Sequence, residues 1–500
     1  MTTTVSPRPE SAPGPAAYRW RWVGLFVILA VEVMDLVDAL VTNVAAPSIR
    51  DDLGGSDTLL QWLGAGYVLA MAVGLVIGGR LGDIYGRRQM FVLGATGFTL
   101  ASGLCAAAVS PGMLVGSRVL QGLFGAVMLP QGLGMIKQMF PPKEVAAAFG
   151  AFGPVMGLSA IGGPVLAGWL VDADYWGTGW RMIFLINLPL GVLAVAGALR
   201  FLPATHGSGG STARATRLDY GGAVLASAFG FLLVFPLVQG RELGWPAWIF
   251  ACLAASVPMF ALFAWYETRV QRRGGDPLVV PTLFRKRAFT AGLVGGLAFF
   301  SALIGFSLIF TLYVQLGLGY SPLRAGLASV PQSLGMVVAF IAASAGLSER
   351  FGRTLLQIGS VLMGLGVVGV LATINQAGAD VTPWQLSPAL FVTGLGTGLV
   401  FAPFFAIVLA GVEDHETGTA SGTLTAVQQL GGALGIALLG TLFFHLLGDG
   451  AAPGGGGSTA FQSAMERTLW AELGLLVAAF AATFLLPLRA RTADPANPVH

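Results

Sequence analysis

Apolar residues fill most of the chain in runs of about 20 residues, and short segments rich in glycine, proline and charge separate these runs. A run of that length crosses the hydrocarbon core of a bilayer as an α-helix, whose backbone satisfies its own hydrogen bonds. The pattern therefore predicts an all-α membrane protein with fourteen transmembrane helices. The predicted spans are 22–46, 58–79, 89–109, 112–136, 145–171, 180–202, 218–239, 245–267, 289–316, 323–347, 354–375, 385–411, 419–446 and 465–488.

The composition excludes an ordinary soluble protein. Hydrophobic residues make up 55% of the 500 residues and charged residues 10%, whereas soluble domains carry about 25% charged residues. The first apolar run follows a polar tail and is longer than the core of a signal peptide, so we expect it to remain as a span. Cys105 and Cys252 both lie in apolar runs, and their spacing indicates neither a disulfide framework nor a metal site.

The distribution of basic residues predicts the orientation. With the N-terminus inside, 21 of the 27 Lys and Arg residues fall in inner segments, five fall in outer segments, and Arg118 lies within a span. The positive-inside rule then places both termini in the cytoplasm. The basic residues therefore trace membrane topology rather than a surface for nucleic acid.

A short repeat divides the chain. Residues 79–87 read GRLGDIYGR and residues 345–353 read AGLSERFGR, at a constant offset of 266, and each copy follows the second span of a six-span block. We expect two pseudo-symmetric six-helix bundles, 21–203 and 289–488, with two inserted helices and basic linkers in 204–288. The tails 1–20 and 489–500 are then cytoplasmic. Parallel halves of this kind are typical of secondary transporters with a midplane cavity between them.

Three acids interrupt the first span at every third position: Glu32, Asp35 and Asp38. A charge at the centre of a bilayer costs about 2.5–3.5 kcal/mol on insertion scales, so such residues are usually functional. Helical geometry places the three within an arc of about 120°. They form either a site for protons or a cationic substrate, or buried structural partners for cations. Acids this close titrate as a coupled set rather than independently.

Arg118 is predicted to lie in the fourth span at a depth similar to that of Asp38. A buried guanidinium needs a partner and stays protonated. We interpret Arg118 as tuning or gating a proton site formed by the acids, with a purely structural ion pair as the alternative.

Glu472 lies seven residues into the last predicted span, near the outer interface, and is interpreted as a wetted residue.

Five segments resemble motifs of the major facilitator superfamily, and in particular its fourteen-helix drug:proton antiporter branch. The loop GRLGDIYGRR resembles its cytoplasmic signature, RVLQGLFGA its fourth-helix signature and GGPVLAG the fifth-helix signature of its antiporters. DALVTNVAAP and WRMIFLINLPLG are similar to motifs of the fourteen-helix branch. Leu40 departs from the pattern, because it stands where the first-helix motif usually has a small hydroxyl residue.

The resemblance implies roles for two further groups of residues. The loop acts in the family as a latch between bundles, and its residues here are Asp83, Gly86, Arg87 and Arg88. In the fifth span, the Gly163–Pro164 element implies a bent helix that seals the substrate path and favours exchange over leak.

These observations predict proton-coupled export of hydrophobic, cationic small molecules, such as antibiotics or dyes, across a bacterial cytoplasmic membrane. The alternative is proton-coupled symport for uptake of a solute. None of the three lysines follows a glycine, so the chain lacks a phosphate-binding loop for ATP. No enzyme motif is present, so we expect no enzyme and no cofactor. The expected partners are the substrate, protons and the lipid bilayer, with the protein acting as a monomer and without nucleic acid.

Overall fold

Helices account for all the regular structure in the described part of the chain. The computed structural model describes residues 18–141, 144, 148, 152–203, 219–240, 243–275, 277–378, 381–409, 412, 417–447 and 458–487. Within these residues, eleven helices are long and apolar enough to cross a membrane. The chain is therefore an integral membrane protein.

The helices fall into two groups on either side of a central pair. The N-terminal half consists of α1 (Arg21–Leu53), α2 (Asp57–Tyr85), α3 (Arg87–Ala106), α4 (Pro111–Met139), α5 (Phe152–Asp172) and α6 (Asn187–Phe201). The central pair is α7 (Tyr220–Gln239) and α8 (Ala247–Arg272). The C-terminal half consists of α9 (Arg287–Leu312), α10 (Val330–Ala342), α11 (Arg353–Ala377), α12 (Pro383–Leu409), α13 (Thr417–Leu447) and α14 (Ser458–Thr483).

Short turns extend several of these helices. Turns at Gly179–Arg181 and Met182–Leu185 lead into α6, and the segment Pro322–Ala328 leads into α10. Single π-helical turns follow α9 at Tyr313–Gly317 and α10 at Ala343–Leu347. With these extensions, α6 and α10 reach the length of a membrane span, Gly179–Phe201 and Pro322–Ala342.

Of the fourteen expected spans, eleven correspond to helices of the described residues that are long and apolar enough to cross a membrane. The other long helices are α1, which carries three acids among its apolar residues, α5, whose apolar part is Ile161–Asp172, and the less apolar α14. Two predicted boundaries were also wrong. Helix α1 continues through Pro47 to Leu53, where left-handed Gly54 donates its N–H to the carbonyl of Arg50 and ends the helix.

The last helix begins at Ser458, seven residues before the predicted start at 465. Its first two turns contain polar residues on an exposed side, while Phe461, Ala464 and Met465 are buried. Hydropathy alone missed these amphipathic turns. Glu472 therefore lies at the middle of α14 and is 0% exposed. The interpretation of Glu472 as a wetted interface residue was wrong.

The two halves repeat the same packing details. Helices α1 and α9 begin at Arg21 and Arg287, which are 266 residues apart. Gly86 and Gly352 both take positive φ before the third helix of their half. An arginine at the start of that third helix donates to carbonyls at the end of the half's last helix: Arg88 to Leu199, and Arg353 to Phe484 and Leu486.

The halves meet at the end of the molecule where α1 leads into α2, which we call the α1–α2 end. Gln315 donates to the carbonyl of Val44 over 2.7 Å, and Thr441 bonds to Gln61 over 3.3 Å. The backbone N–H of Leu323 donates to Asp172 over 3.1 Å. Helix α7 packs on both α2 and α13 at the same end, where Thr441 donates to its Leu237 carbonyl over 2.5 Å. The central pair thus helps to hold the two halves together.

Glycines allow the closest helix contacts. A Cβ added to Gly435 of α13 would lie 2.1 Å from the carbonyl oxygen of Ser301 in α9, closer than atoms can approach. Ser301 in turn donates its hydroxyl to the carbonyl of Gly431 over 2.8 Å. Gly435 therefore sets the distance between α9 and α13.

We predict that Gly435→Ala destabilises the protein, because the new methyl group must push α9 and α13 apart. Overpacking of this kind costs about 1–3 kcal/mol. Gly422→Ala, in the same helix, is the matched control, since a Cβ there has nothing within 4 Å. Thermal unfolding of the two variants in detergent compares them. Equal melting temperatures would show that the α9–α13 contact is not tightly packed.

Candidate functional site

A buried ion pair joins α1 to α4 inside the N-terminal half. Asp38 is 3% exposed and Arg118 is 1% exposed. One guanidinium nitrogen of Arg118, Nη1, donates to the carboxylate oxygen Oδ2 of Asp38. Two charges this deep are stabilised only when their remaining hydrogen-bonding atoms are also satisfied.

Three uncharged side chains complete the environment of Asp38. Gln121 of α4 donates to Asp38 Oδ1 over 2.9 Å, and Asn187 at the start of α6 donates to the same oxygen over 2.7 Å. Ser102 of α3 accepts from Gln121 over 2.9 Å and from Asn187 over 3.4 Å. Four helices of the half therefore converge on one carboxylate.

Arg118 has its own set of partners. Its Nε donates to the carbonyl of Leu63 in α2 over 3.2 Å, and its Nη1 also donates to Gln121 over 2.6 Å. The guanidinium carbon lies 4.2 Å from the ring centre of Tyr67, within the range of a cation–π interaction. The cation is thus held by α1, α2 and α4 together.

Tyr67 connects this ion pair to the next acid along α1. Its hydroxyl donates to Asp35, while its ring packs against Arg118. Gly125 of α4 leaves room for this contact, since a Cβ there would lie 3.2 Å from Asp35 Oδ1 and 3.6 Å from the Tyr67 hydroxyl. A single side chain, Tyr67, therefore contacts both Asp35 and the Arg118 guanidinium.

The three acids differ in exposure along the helix. Glu32 and Asp35 are partly exposed, whereas Asp38 is buried. Glu32 lies beside α4, with one carboxylate oxygen 3.7 Å from the Cβ position of Gly132. The face of α1 therefore leads from two partly exposed acids to one that is enclosed by protein.

The latch residues lie at the opposite end from the contacts between halves. The side chain of Asp83 lies outside the described part of the structure. Gly86 has φ of 97°, which favours glycine and lets α2 turn directly into α3. Arg87 covers Gly134 of α4, and Arg88 donates to the carbonyl of Leu199. Arg88 therefore ties α3 to α6 within its own half, a contact that the sequence did not predict.

The Gly163–Pro164 element of α5 lies between the two halves. Gly163 packs against Leu40 of α1, whose Cδ1 is 3.1 Å from the glycine's Cβ position. The carbonyl of Pro164 approaches Gly326 so closely that a Cβ there would lie 2.2 Å away. Leu40, the departure from the family motif, thus occupies space that Gly163 leaves free.

Sequence reasoning placed Asp38 and Arg118 at a similar depth, and the structure brings them into contact. It missed Ser102, Gln121 and Asn187 as site residues, and it did not connect Tyr67, an aromatic that could line a drug pocket, with the acids. Gln121 lies in RVLQGLFGA and Asn187 in WRMIFLINLPLG, so the motifs themselves contained the signal. Each is an uncharged polar residue within a largely apolar motif, and this feature could have identified both.

The comparison with protein families fits this arrangement. The model of the Major Facilitator Superfamily matches residues 22–436, which include every residue of the cluster. The chain belongs to the Major Facilitator Superfamily.

Relatives within the superfamily are named for antibiotic transport or resistance. The chain is 52% identical over 444 residues to the probable actinorhodin transporter of Streptomyces coelicolor, covering 89% of this chain and 76% of that protein. It is 38% identical to the puromycin resistance protein of Streptomyces alboniger, covering 84% and 82%. It is 32% identical to the tetracenomycin C resistance and export protein of Streptomyces glaucescens, covering 86% and 77%.

Solved structures share the fold of this superfamily member at low sequence identity. A bacterial homolog of the human lysosomal transporter Spinster, in an inward-facing and unoccupied conformation, matches with a TM-score of 0.63 and 16% identity, covering 95% of this chain and 97% of that chain. An auto-inhibited peptide transporter of the POT family matches with a TM-score of 0.66 and 14% identity, covering 95% and 99%. These likenesses show the fold alone.

We predict that Asp38→Asn and Arg118→Gln each destabilise the protein by about 3–5 kcal/mol, because each leaves a buried charge without its partner. The double variant should recover most of this loss, since it removes both charges. Thermal unfolding in detergent measures all three.

Asp52→Asn is the matched control for these variants. It breaks the 2.7 Å ion pair between Asp52, whose side chain is 48% exposed, and Arg181, whose side chain is 31% exposed. A solvent-exposed ion pair contributes about 0–1 kcal/mol to stability. If Asp38→Asn costs no more than this control, the Asp38–Arg118 pair does not stabilise the half.

Proposed function

We propose that this protein exports hydrophobic, cationic small molecules such as antibiotics in exchange for protons across a bacterial cytoplasmic membrane. The observation that carries the proposal is the acidic face of α1, on which partly exposed Glu32 and Asp35 lead to the buried Asp38–Arg118 pair. A carboxylate binds either a proton or a cation, so one face can serve both. The relatives named for antibiotic export or resistance support the substrate class.

The Asp38–Arg118 ion pair supplies the step that couples proton binding to export of the substrate. Arg118 keeps its proton under all physiological conditions. A proton that reaches Asp38 removes the carboxylate charge, so Arg118 loses its ionic partner and the hydrogen bonds from Gln121 and Asn187 weaken. Because these contacts hold α1, α4 and α6 together, protonation of Asp38 favours a different packing of the half.

In this proposal the protein has fourteen transmembrane helices, with six-helix bundles at 21–203 and 289–488 and two helices inserted between them. Both termini are cytoplasmic, so the α1–α2 end faces outward. The contacts between halves at that end, from Gln315 to Val44 and from Leu323 to Asp172, then correspond to a conformation closed to the outside. In that conformation a substrate reaches Glu32 and Asp35 from the cytoplasm.

Two elements serve as gates in this proposal. The junction of α2 and α3, with Asp83 near the end of α2, Gly86 between the helices and Arg87 and Arg88 at the start of α3, lies at the cytoplasmic end and latches the halves when the protein opens outward. The Gly163–Pro164 element lies in the contact with Gly326 at the outer end, and it seals the path in the conformation described. The proton gradient alone drives the cycle, so the monomer needs no cofactor.

Proton-coupled uptake by symport is the second candidate, since one fold supports both directions. The acidic face favours exchange, because a cation and a proton bound to the same carboxylates exclude one another. Symport would instead require both to be bound together.

We predict that Asp38→Asn abolishes proton-driven export, because the amide can no longer gain and lose a proton. Uptake of the fluorescent cation ethidium from the medium into inverted membrane vesicles, with and without an imposed pH gradient, measures the effect. Asp51→Asn, an exposed acid in the same helix, is the control and should export normally. Normal export by Asp38→Asn at equal expression would contradict the assignment, and Asp35 would then be tested next.

We also predict that binding of a cationic substrate weakens as pH falls, because protonation neutralises the acids that attract it. By linkage, binding must then release protons. Purified protein mixed with ethidium in weak buffer should acidify the medium between about pH 6 and 8, within the range spanned by perturbed carboxylates. Tight binding without proton release would mean that the acids serve structure and that coupling lies elsewhere.

A further inference from the structure

Glu472 is an acid in the C-terminal half to which the mechanism above gives no role. It is 0% exposed at the middle of α14, and neither carboxylate oxygen has a hydrogen-bond partner among the described residues. An ionised carboxylate buried without a partner is far less stable than one in water. The neutral, protonated form of Glu472 is therefore the favoured one in these surroundings.

Among the residues that the structure describes, no counter-ion lies at the level of Glu472. Helices α9, α11 and α13 and the π-helical turn after α9 pack against α14. Their titratable or charged residues lie only at their ends, and the others on α14 lie one to two turns from Glu472. These residues are Arg287, Arg353, His445, Tyr313, Glu466 and Arg467.

The internal repeat shows which position Glu472 occupies. An offset of 285 aligns the buried residues of α6 with those of α14, and it also aligns Leu199 with Phe484, the carbonyls that accept from Arg88 and Arg353. The aligned buried residues are Asn187, Gly191, Ala194 and Ala198 with Glu472, Leu476, Ala479 and Thr483. Glu472 thus corresponds to Asn187, which donates to Asp38 in the other half.

The rest of the charged cluster has no equivalent in the C-terminal half. At the offset of 266 between α1 and α9, Asp38 corresponds to Ile304. Helices α4 and α12 both begin at a proline, and aligning Pro111 with Pro383 places Leu390 at the position of Arg118. One half therefore holds an acid with its cation, and the other holds an acid alone.

A small cleft, lined mainly by apolar residues, begins two turns along α14 from Glu472. It lies between α9, α11, α12 and α14, and its lining includes Gly295, Ser360, Ala479 and Thr483. Ala479 and Thr483 follow Glu472 on the same buried face of α14, two and three turns further along the helix. They lie toward the end of the molecule where α2 turns into α3.

We propose that Glu472 is a second proton-binding site, located in the C-terminal half and separate from the acids of α1. In the conformation described, its carboxyl group holds the proton. When the half repacks and water in the cleft reaches it, the O–H bond breaks, the proton passes to water and a carboxylate remains. Reprotonation reverses these steps. The inference rests on proton-coupled export as proposed above.

The test compares Glu472→Gln with the native chain in reconstituted vesicles. Glutamine keeps the size and polarity of the protonated acid but cannot release a proton, so we expect the variant to fold and to transport ethidium. With one fewer proton coupled per cycle, the accumulation ratio at a gradient of one pH unit should fall about tenfold. Glu466→Gln is the control in the same helix, since Glu466 is partly exposed and accepts from Gln462 over 2.9 Å.

Labelling tests the protonation itself. Dicyclohexylcarbodiimide reacts with protonated carboxyl groups in apolar surroundings, so mass spectrometry of the native protein should find the label on Glu472 and not on Glu466. Labelling should decrease when a saturating proton gradient drives turnover. An unchanged accumulation ratio in Glu472→Gln, or labelling that does not respond to turnover, would overturn the second site.

These outcomes separate the inference from the proposed function. If the native chain accumulates ethidium in response to the pH gradient and Glu472→Gln behaves identically, proton-coupled export stands and the second site fails. If the native chain does not respond to the gradient, the proposed function itself fails.

Discussion

The ion pair between Asp38 and Arg118 is the interaction on which the N-terminal half depends. Removing two charges from water is costly, and the protein offsets the cost by directing Gln121 and Asn187 at the carboxylate and the Leu63 carbonyl at the guanidinium. These groups come from α2, α4 and α6. The helices must keep their relative positions for the two charges to remain satisfied.

The two halves have the same scaffold but different polar interiors. Positive-φ glycines and arginine-to-carbonyl contacts recur where the third helix of each half begins, and they position that helix against the last one. At the level of the ion pair the C-terminal half has Ile304 and Leu390 instead, and Glu472 is the ionisable residue found at that level among the described residues. The repeat therefore preserves what folds each half, while the buried ionisable residues are distributed unequally.

Much of the fold could be predicted because membrane helices have a strong compositional signal, and charges within apolar runs are conspicuous. Asp38 and Arg118 were found for that reason. Ser102, Gln121 and Asn187 are uncharged, and only the packing of α3, α4 and α6 shows that they face a common carboxylate. Glu472 was misjudged because the amphipathic start of α14 hid two turns of helix, which changed an apparent interface position into a central one.

The order of exposure along α1 indicates how three acids can divide their work. In the proposed exchange, a substrate cation can bind only where it has access, so the partly exposed Glu32 and Asp35 are suited to bind it, whereas Asp38 is enclosed. Tyr67 joins the two environments, since its hydroxyl bonds to Asp35 while its ring contacts Arg118. A cation bound at Asp35 would repel the nearby Arg118 guanidinium, and an ionised Asp38 would then be favoured because it offsets that repulsion. Under the proposal, substrate binding and deprotonation of Asp38 favour one another, which is the condition for exchange.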